Sequence, residues 1–80
     1  MKVIYSDHAR QNMLERKISE QRVVETLTFP DKIVSSRKDR KIAQKLFGNL
    51  VLRVIYKETE KVYIIVTVYY TKDKRYQNES

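Results

Sequence analysis

The hydrophobic period of this chain changes at Phe29-Pro30, and this change constrains its fold more than any other feature. Before the dipeptide, apolar side chains recur at helical spacing; from Lys32 onward they alternate with a period of two, as in β-strands. Proline cannot donate a backbone hydrogen bond and disfavours helix in the residue before it. The sequence therefore predicts a helical part followed by a sheet part, within one domain of residues 1–80.

Two short amphipathic helices are predicted between a first strand at residues 2–5 and Pro30. Ser6 or Asp7 offers an N-cap for the first helix, and Ser19 offers one for the second. Because the helices are short and closely spaced in the sequence, we expect them to form a hairpin.

Four further strands are predicted at residues 33–34, 41–47, 51–57 and 62–70. Pairing Tyr56 with Val62 in the last hairpin places an entirely apolar set on one face: Leu50, Leu52, Val54, Tyr56, Val62, Ile64, Val66 and Val68. The predicted class is α+β, in the order β-α-α-β-β-β-β, with an antiparallel sheet covered on one face by the helical hairpin.

The turn at Gly48 allows two registers. A two-residue loop would place Lys41 and Lys45 on the core side, where unpaired ammonium groups cost several kcal/mol. A three-residue loop places both lysines on the opposite face, beside Arg53. On this ground we predict the longer loop.

The charge of the chain favours an anionic partner. The net charge is +7, and residues 37–80 carry eleven Lys/Arg against five Asp/Glu. Such a field attracts nucleic acid first and an acidic protein second. The alternative is a lysine-rich surface that only keeps the protein soluble.

Composition argues against several other classes. There is no cysteine and a single histidine, so we expect no disulfide, no metal site and no cofactor. The longest apolar run, residues 62–68, is too short to span a bilayer, and no secretory signal is visible. We therefore expect a cytoplasmic protein without a membrane partner.

Cations and tyrosines alternate on the predicted face opposite the core. Lys41, Lys45, Arg53 and Tyr69 share it, which suits single-stranded RNA because phosphates pair with cations while bases stack on rings. Arg53 lies between apolar neighbours on its strand and is poorly solvated unless it has an anionic ligand. The alternative is a structural partner such as Thr67 or a carboxylate.

Two outer clusters and the histidine complete the candidate residues. The outer clusters are Arg37, Lys38, Arg40 and Lys41 in a predicted turn, and Lys72, Arg75 and Tyr76 after the last strand. Residues 73–80 are expected to form a flexible tail. His8 at a helix start can transfer protons near neutral pH, the alternative being a capping or packing residue.

Motifs throughout the chain resemble a known family. They are His8, Ala9, Met13, Glu15, Arg16, Ile18, Ser19 and Pro30, with residues 23–27, 47–49, 52–56 and 66–69. Over residues 5–72 the chain resembles a prokaryotic domain of unknown function (DUF4258-like), grouped with RelE/ParE-type and BrnT-type toxins. The resemblance implies a RelE-like fold. It also implies RNA cleavage or, as in ParE-type relatives, action on DNA gyrase.

Two positions depart from the family pattern. Asn12 stands where arginine is common, which removes a cation near His8. Lys17 stands where glycine is common, which implies a differently shaped link between the helices.

The resulting hypothesis is a RelE-like toxin that binds RNA, including mRNA on the ribosome, and cleaves it as a metal-independent endoribonuclease. His8, Arg53 and Tyr69 are the candidate catalytic residues. An acidic antitoxin of a type II pair is the expected protein partner. The alternatives are a non-catalytic basic module that binds protein or nucleic acid, and an inactive protein of toxin fold.

Overall fold

The computed structural model describes residues 2–37 and 39–73. Its elements are β1 (Lys2–Tyr5), α1 (Asp7–Arg16), α2 (Glu20–Thr28), β2 (Lys32–Ser35), β3 (Arg40–Phe47), β4 (Leu50–Glu58) and β5 (Val62–Lys72). The predicted α+β class and element order are confirmed. Neither helix in the described ranges has the length and apolar character needed to cross a membrane.

Serine caps define where both helices begin. The Ser6 hydroxyl accepts a hydrogen bond from the Ala9 backbone N–H at 3.0 Å, so Ser6 is the cap of α1. The Ser19 hydroxyl accepts from the Arg22 N–H at 3.1 Å and caps α2. These bonds satisfy backbone donors that the first turn of a helix leaves without partners.

The sheet is mixed, so the prediction of a wholly antiparallel sheet was wrong. Its strand order is β1-β5-β4-β3-β2, and β1 pairs with β5 in parallel while every other neighbouring pair is antiparallel. The reason is topological. The chain leaves β1 through both helices and the last strand returns beside β1, and parallel neighbours require such a long crossover connection.

The turn at Gly48 has two residues, so the predicted longer loop was wrong. Phe47 pairs with Leu50, and Gly48 has a φ of 65°, a left-handed conformation that glycine adopts without a steric penalty. This register pairs Lys41 with Tyr56 and Lys45 with Leu52, which places both lysines on the core side of the sheet.

The two lysines are tolerated there because their ammonium groups are neither unpaired nor fully buried. Lys41 Nζ lies 3.7 Å from Glu58 Oε1, and the Lys41 side chain remains half exposed. Lys45 Nζ donates to the Phe29 carbonyl at 3.0 Å. Their hydrocarbon stems lie along the sheet while the charged ends reach its margin. The desolvation cost on which the longer loop was predicted therefore does not arise.

The last hairpin contains an irregularity that the alternating pattern did not reveal. Ile55 pairs with Thr67 but Tyr56 pairs with Ile65, which leaves Val66 as an extra residue in β5. The predicted pairing of Tyr56 with Val62 was wrong. As a result Ile65 is fully buried in the core, and the Tyr63 ring stacks on Tyr56 with centroids 5.3 Å apart.

Both helices contribute to the single hydrophobic core. α1 contacts mainly β5, and α2 contacts β3 and β4. The buried cluster contains Ala9, Met13, Ile18, Val23, Leu27, Ala43, Leu52, Val54, Tyr56, Ile65 and Val68. We call the side of the sheet that carries these strand residues the helix-bearing face.

The opposite side, here called the Arg53 face, has a different composition. The register assigns to it Lys32, Val34, Arg40, Ile42, Gln44, Leu46, Val51, Arg53, Ile55, Lys57, Ile64, Tyr69 and Thr71. Most of these side chains are half-buried or exposed. The alternation of side chains along each strand thus separates the face that carries the core from one that mixes basic, polar and apolar residues.

Candidate functional site

Arg53 occupies the middle of the Arg53 face. It lies on the central strand β4, directly opposite Gln44 on β3 and Tyr69 on β5. Its guanidinium carbon is 5.4 Å from the centre of the Tyr69 ring, within cation–π range. Within residues 2–37 and 39–73, the buried Arg53 Nε has no hydrogen-bond partner. A buried donor without a partner is costly, and an anionic ligand would satisfy it.

A polar cavity of about 430 Å³ opens beside Arg53. Its lining consists of Lys32, Gln44, Val51, Arg53, Thr71, Lys72 and Asp73. Three cations therefore surround one carboxylate, and Asp73 is itself buried, with its backbone N–H donating to the Asn49 carbonyl at 3.1 Å. The arrangement can bind an anion the size of a phosphate group through guanidinium and ammonium groups.

The structure brings some of the predicted residues together and separates others. Arg53 and Tyr69 are direct neighbours, and Lys72 lines the cavity beside Arg53. Lys41 and Lys45 lie on the helix-bearing face instead of joining Arg53. This separation follows from the two-residue turn at Gly48.

The remaining predicted residues lie elsewhere. His8 is exposed on the first turn of α1, which packs on the helix-bearing face, away from Arg53. Arg37 and Arg40 line a separate cavity with Lys57. Lys38, Arg75 and Tyr76 are outside the described residues, as is the predicted tail apart from Asp73.

Sequence reasoning missed five of the seven residues that line the cavity, Lys32 and Gln44 among them. Gln44 pairs with both Lys32 and Arg53, so all three share one face. Gln44 was missed because the longer Gly48 loop assigned it to the core. A polar residue predicted in a core was itself a signal that the register was shifted.

Asn12, a departure from the family pattern, has a structural role. Its side chain is only 8% exposed, and its Oδ1 accepts a hydrogen bond from the Thr67 hydroxyl at 2.6 Å. This bond joins α1 to β5. The position interpreted from sequence as a lost cation therefore holds a neutral anchor between helix and sheet.

Several cations on the helix-bearing side are engaged within the protein. Arg22 donates to the Tyr70 hydroxyl at 2.7 Å, and its guanidinium carbon lies 4.6 Å from the centre of the Phe47 ring. With the contacts of Lys41 and Lys45 described above, three cations on that side are thus engaged within the protein. They leave Arg53 as the better candidate for an external anion.

Two tyrosines have perturbed acidities. Burial raises the pKa of Tyr56, and the charge of Glu58 and the neighbouring Tyr63 raise it further. Burial also raises the pKa of Tyr5; Glu20 adds to the increase and Arg10 opposes it. Both tyrosines pack against the core cluster, so these shifts belong to the folding energetics of the helix-bearing face.

A resident metal has no evident ligand set in the described part of the chain. There, no three histidine, aspartate or glutamate side chains come close enough together to hold an ion. The chemistry available at Arg53 is that of guanidinium, ammonium, phenol, amide and carboxylate groups.

Comparison with known proteins shows the family. A family model described as "Domain of unknown function (DUF4258)" matches residues 5–70. The chain belongs to the DUF4258 family. The match includes Arg53 and Tyr69 and ends before Lys72. No curated protein and no solved structure matches the chain. The predicted grouping of this DUF4258 member with RelE, ParE and BrnT toxins stays a prediction.

Proposed function

We propose that this protein binds single-stranded RNA through the Arg53 face. The observation that carries the proposal is Arg53 itself, whose buried Nε has no partner among the described residues and whose neighbouring cavity adds Lys32 and Lys72. Tyr69 presents a ring beside the same guanidinium. Phosphate-binding cations next to an aromatic ring are the combination that single-stranded RNA recognition uses.

The wider proposal is a RelE-like toxin of a type II toxin–antitoxin pair. The element order supports it, with two consecutive helices inserted after the first strand. The net charge of +7 supports an acidic antitoxin as the partner that covers the Arg53 face at rest. On expression without such a partner, the toxin would arrest growth by acting on RNA, including mRNA on the ribosome.

Metal-independent RNA cleavage is the second candidate function, favoured by the direct pairing of Tyr69 with Arg53. A base removes the proton from a ribose 2′-hydroxyl, and that oxygen attacks the adjacent phosphorus. The bond to the 5′-oxygen breaks, the products are a 2′,3′-cyclic phosphate and a 5′-hydroxyl, and the leaving oxygen takes up a proton. Arg53 would stabilise the charge on the phosphate, and Tyr69 would transfer the proton.

RNA binding is tested by fluorescence anisotropy with a labelled oligouridylate. Arg53→Gln keeps a polar side chain but removes the charge, and we expect affinity to fall at least about tenfold. The matched control is Arg16→Gln, which removes an exposed arginine at the end of α1. Equal losses in the two variants would indicate a general field effect and contradict a site at Arg53.

Cleavage is tested separately, by incubating the purified protein with mixed RNA in EDTA. Loss of cleavage in both Arg53→Gln and Tyr69→Phe, with RNA binding retained in Tyr69→Phe, supports the endoribonuclease. RNA retention without cleavage supports the non-catalytic module. Absence of both RNA binding and growth arrest on expression would exclude the two nucleic-acid functions.

A further inference from the structure

A second group of cations lies at the other end of the Arg53 face. Arg40 on β3 is the direct cross-strand partner of Lys57 on β4. Like charges at directly opposite positions of an antiparallel pair are destabilising. Such a pair is compatible with a stable sheet when an anion lies between the two groups.

The surroundings of this pair provide space for an anion, and three cations outnumber one carboxylate there. Arg37, Asp39, Arg40 and Lys57 line a cavity of about 320 Å³. Among residues 2–37 and 39–73, the salt bridge present is Lys41 to Glu58, and its lysine lies on the helix-bearing face. Arg37, Arg40 and Lys57 form no ion pair in that part of the chain.

The geometry points to this cavity as a second phosphate site, and we propose that one RNA strand runs along β4 with phosphates at Arg53 and at the Arg40–Lys57 pair. Lys57 follows Arg53 by four residues on the same strand, so the two sites are about 13 Å apart. Ile55 lies between them and is only 9% exposed, so the proposed path rests on the two groups of cations. This inference rests on the proposed RNA-binding function and adds the path of the bound strand along the sheet.

The length of the RNA provides the test. A dinucleotide reaches one site, whereas an oligouridylate of about 12 nucleotides, within the usual range for single-strand sites, reaches both. We expect Lys57→Gln to weaken binding of the long oligonucleotide at least about tenfold and to leave the dinucleotide within twofold. The slope of log affinity against log salt for the long oligonucleotide should fall by about 0.7, the value for one phosphate contact of a single strand.

Lys61→Gln is the matched control, because Lys61 is exposed in the turn beside Lys57 and does not line the cavity. Equal effects of Lys57→Gln and Lys61→Gln would overturn the proposal. So would an unchanged affinity of Lys57→Gln for the long oligonucleotide while Arg53→Gln abolishes binding. If the wild-type protein binds neither RNA, the proposed function itself fails.

A stability measurement distinguishes the site from ordinary packing. Lys57→Glu converts the like-charge pair with Arg40 into an opposite-charge pair, so the free protein should melt at a higher temperature while long-RNA affinity falls. A packing role predicts a lower melting temperature, and that result would contradict the site. Inorganic phosphate is the second probe. NMR spectra report whether phosphate shifts the Arg40 and Lys57 amide resonances. Such shifts, together with an effect of Lys57→Gln on RNA affinity that does not depend on RNA length, would indicate a site for free phosphate and would overturn the strand path.

Discussion

The two faces of this sheet use the same kinds of charged residue in different ways. On the helix-bearing side, Lys41 pairs with Glu58, Lys45 donates to a backbone carbonyl and Arg22 donates to Tyr70. On the Arg53 face, the Nε of Arg53 is buried without a hydrogen-bond partner in the described residues.

Cations that the protein satisfies internally contribute to the fold, whereas cations left without partners are available to a ligand. The comparison therefore assigns stability mainly to one face and binding mainly to the other. Charge counts alone could not make this distinction, because lysine and arginine are present on both faces.

The largest expected effect tests the contribution of the helix-bearing face to stability. Leu52 is fully buried in the core, and Leu52→Ala should lower the free energy of unfolding by about 2–5 kcal/mol. Gln44→Ala, on the neighbouring strand but on the Arg53 face, is the control and should have a much smaller effect. Urea denaturation measures both. Similar losses in the two variants would contradict the division between the faces.

The bond between Asn12 and Thr67 is the next largest test, because it joins α1 to a strand position paired with Ile55. Thr67→Val removes the hydroxyl donor, so the buried Asn12 side-chain oxygen loses its hydrogen bond. The free energy of unfolding should fall by about 1–3 kcal/mol. A double-mutant cycle with Asn12→Ala should show a coupling above about 0.5 kcal/mol. Strictly additive effects would show that this contact does not join helix and sheet.

A smaller, stabilising effect is expected at the end of α1. Lys17 has a φ of 56°, in the left-handed region, and its backbone N–H donates to the Met13 carbonyl. Lys17→Gly relieves this conformation and should raise the free energy of unfolding by about 0.5–1 kcal/mol, after the larger entropy loss of glycine is deducted. Lys17→Ala removes the same charge but keeps the Cβ atom, so it should not stabilise. Equal gains in both variants would assign the effect to charge.

The smallest effect concerns alkaline pH. The pKa of Tyr56 is raised in the folded protein above the ordinary value of 10.0, so the folded state holds its proton more tightly. The resulting stability is fully present below pH 10.0 and is lost as pH rises through the folded-state pKa. Urea denaturation at about pH 8 and about pH 11 measures how far the free energy of unfolding declines between the two. This decline should be smaller for Tyr56→Phe than for the wild type. An identical decline in both proteins would show that another group causes it. Tyr5, whose pKa is also raised, is the next residue to replace.

Much of the fold could be predicted from local signals. Ser19 was identified as a helix cap, Pro30 as a helix limit and Gly48 as a turn, and the structure has each of them there or within one residue. These signals are local because a serine cap, a proline and a left-handed glycine act on the few backbone groups next to them.

The candidate site could be predicted only in part. Arg53 and Tyr69 were assigned to one face and are direct partners. Lys45 was assigned there too, but the Gly48 register moved it to the other face, and Gln44 took the place beside Arg53. The error came from treating a lysine on the core side as a buried charge, although its long side chain reaches a carbonyl at the margin.

The sequence by itself determined the elements, because the helical period ends at Pro30 and the alternating period begins at Lys32. Tertiary structure decided which side chains meet. A period of two is unchanged when a strand slips by an even number of residues, and it cannot report the extra residue at Val66. The parallel pairing of β1 and the membership of the Arg53 face depend on contacts between distant segments, which no local pattern in the chain encodes.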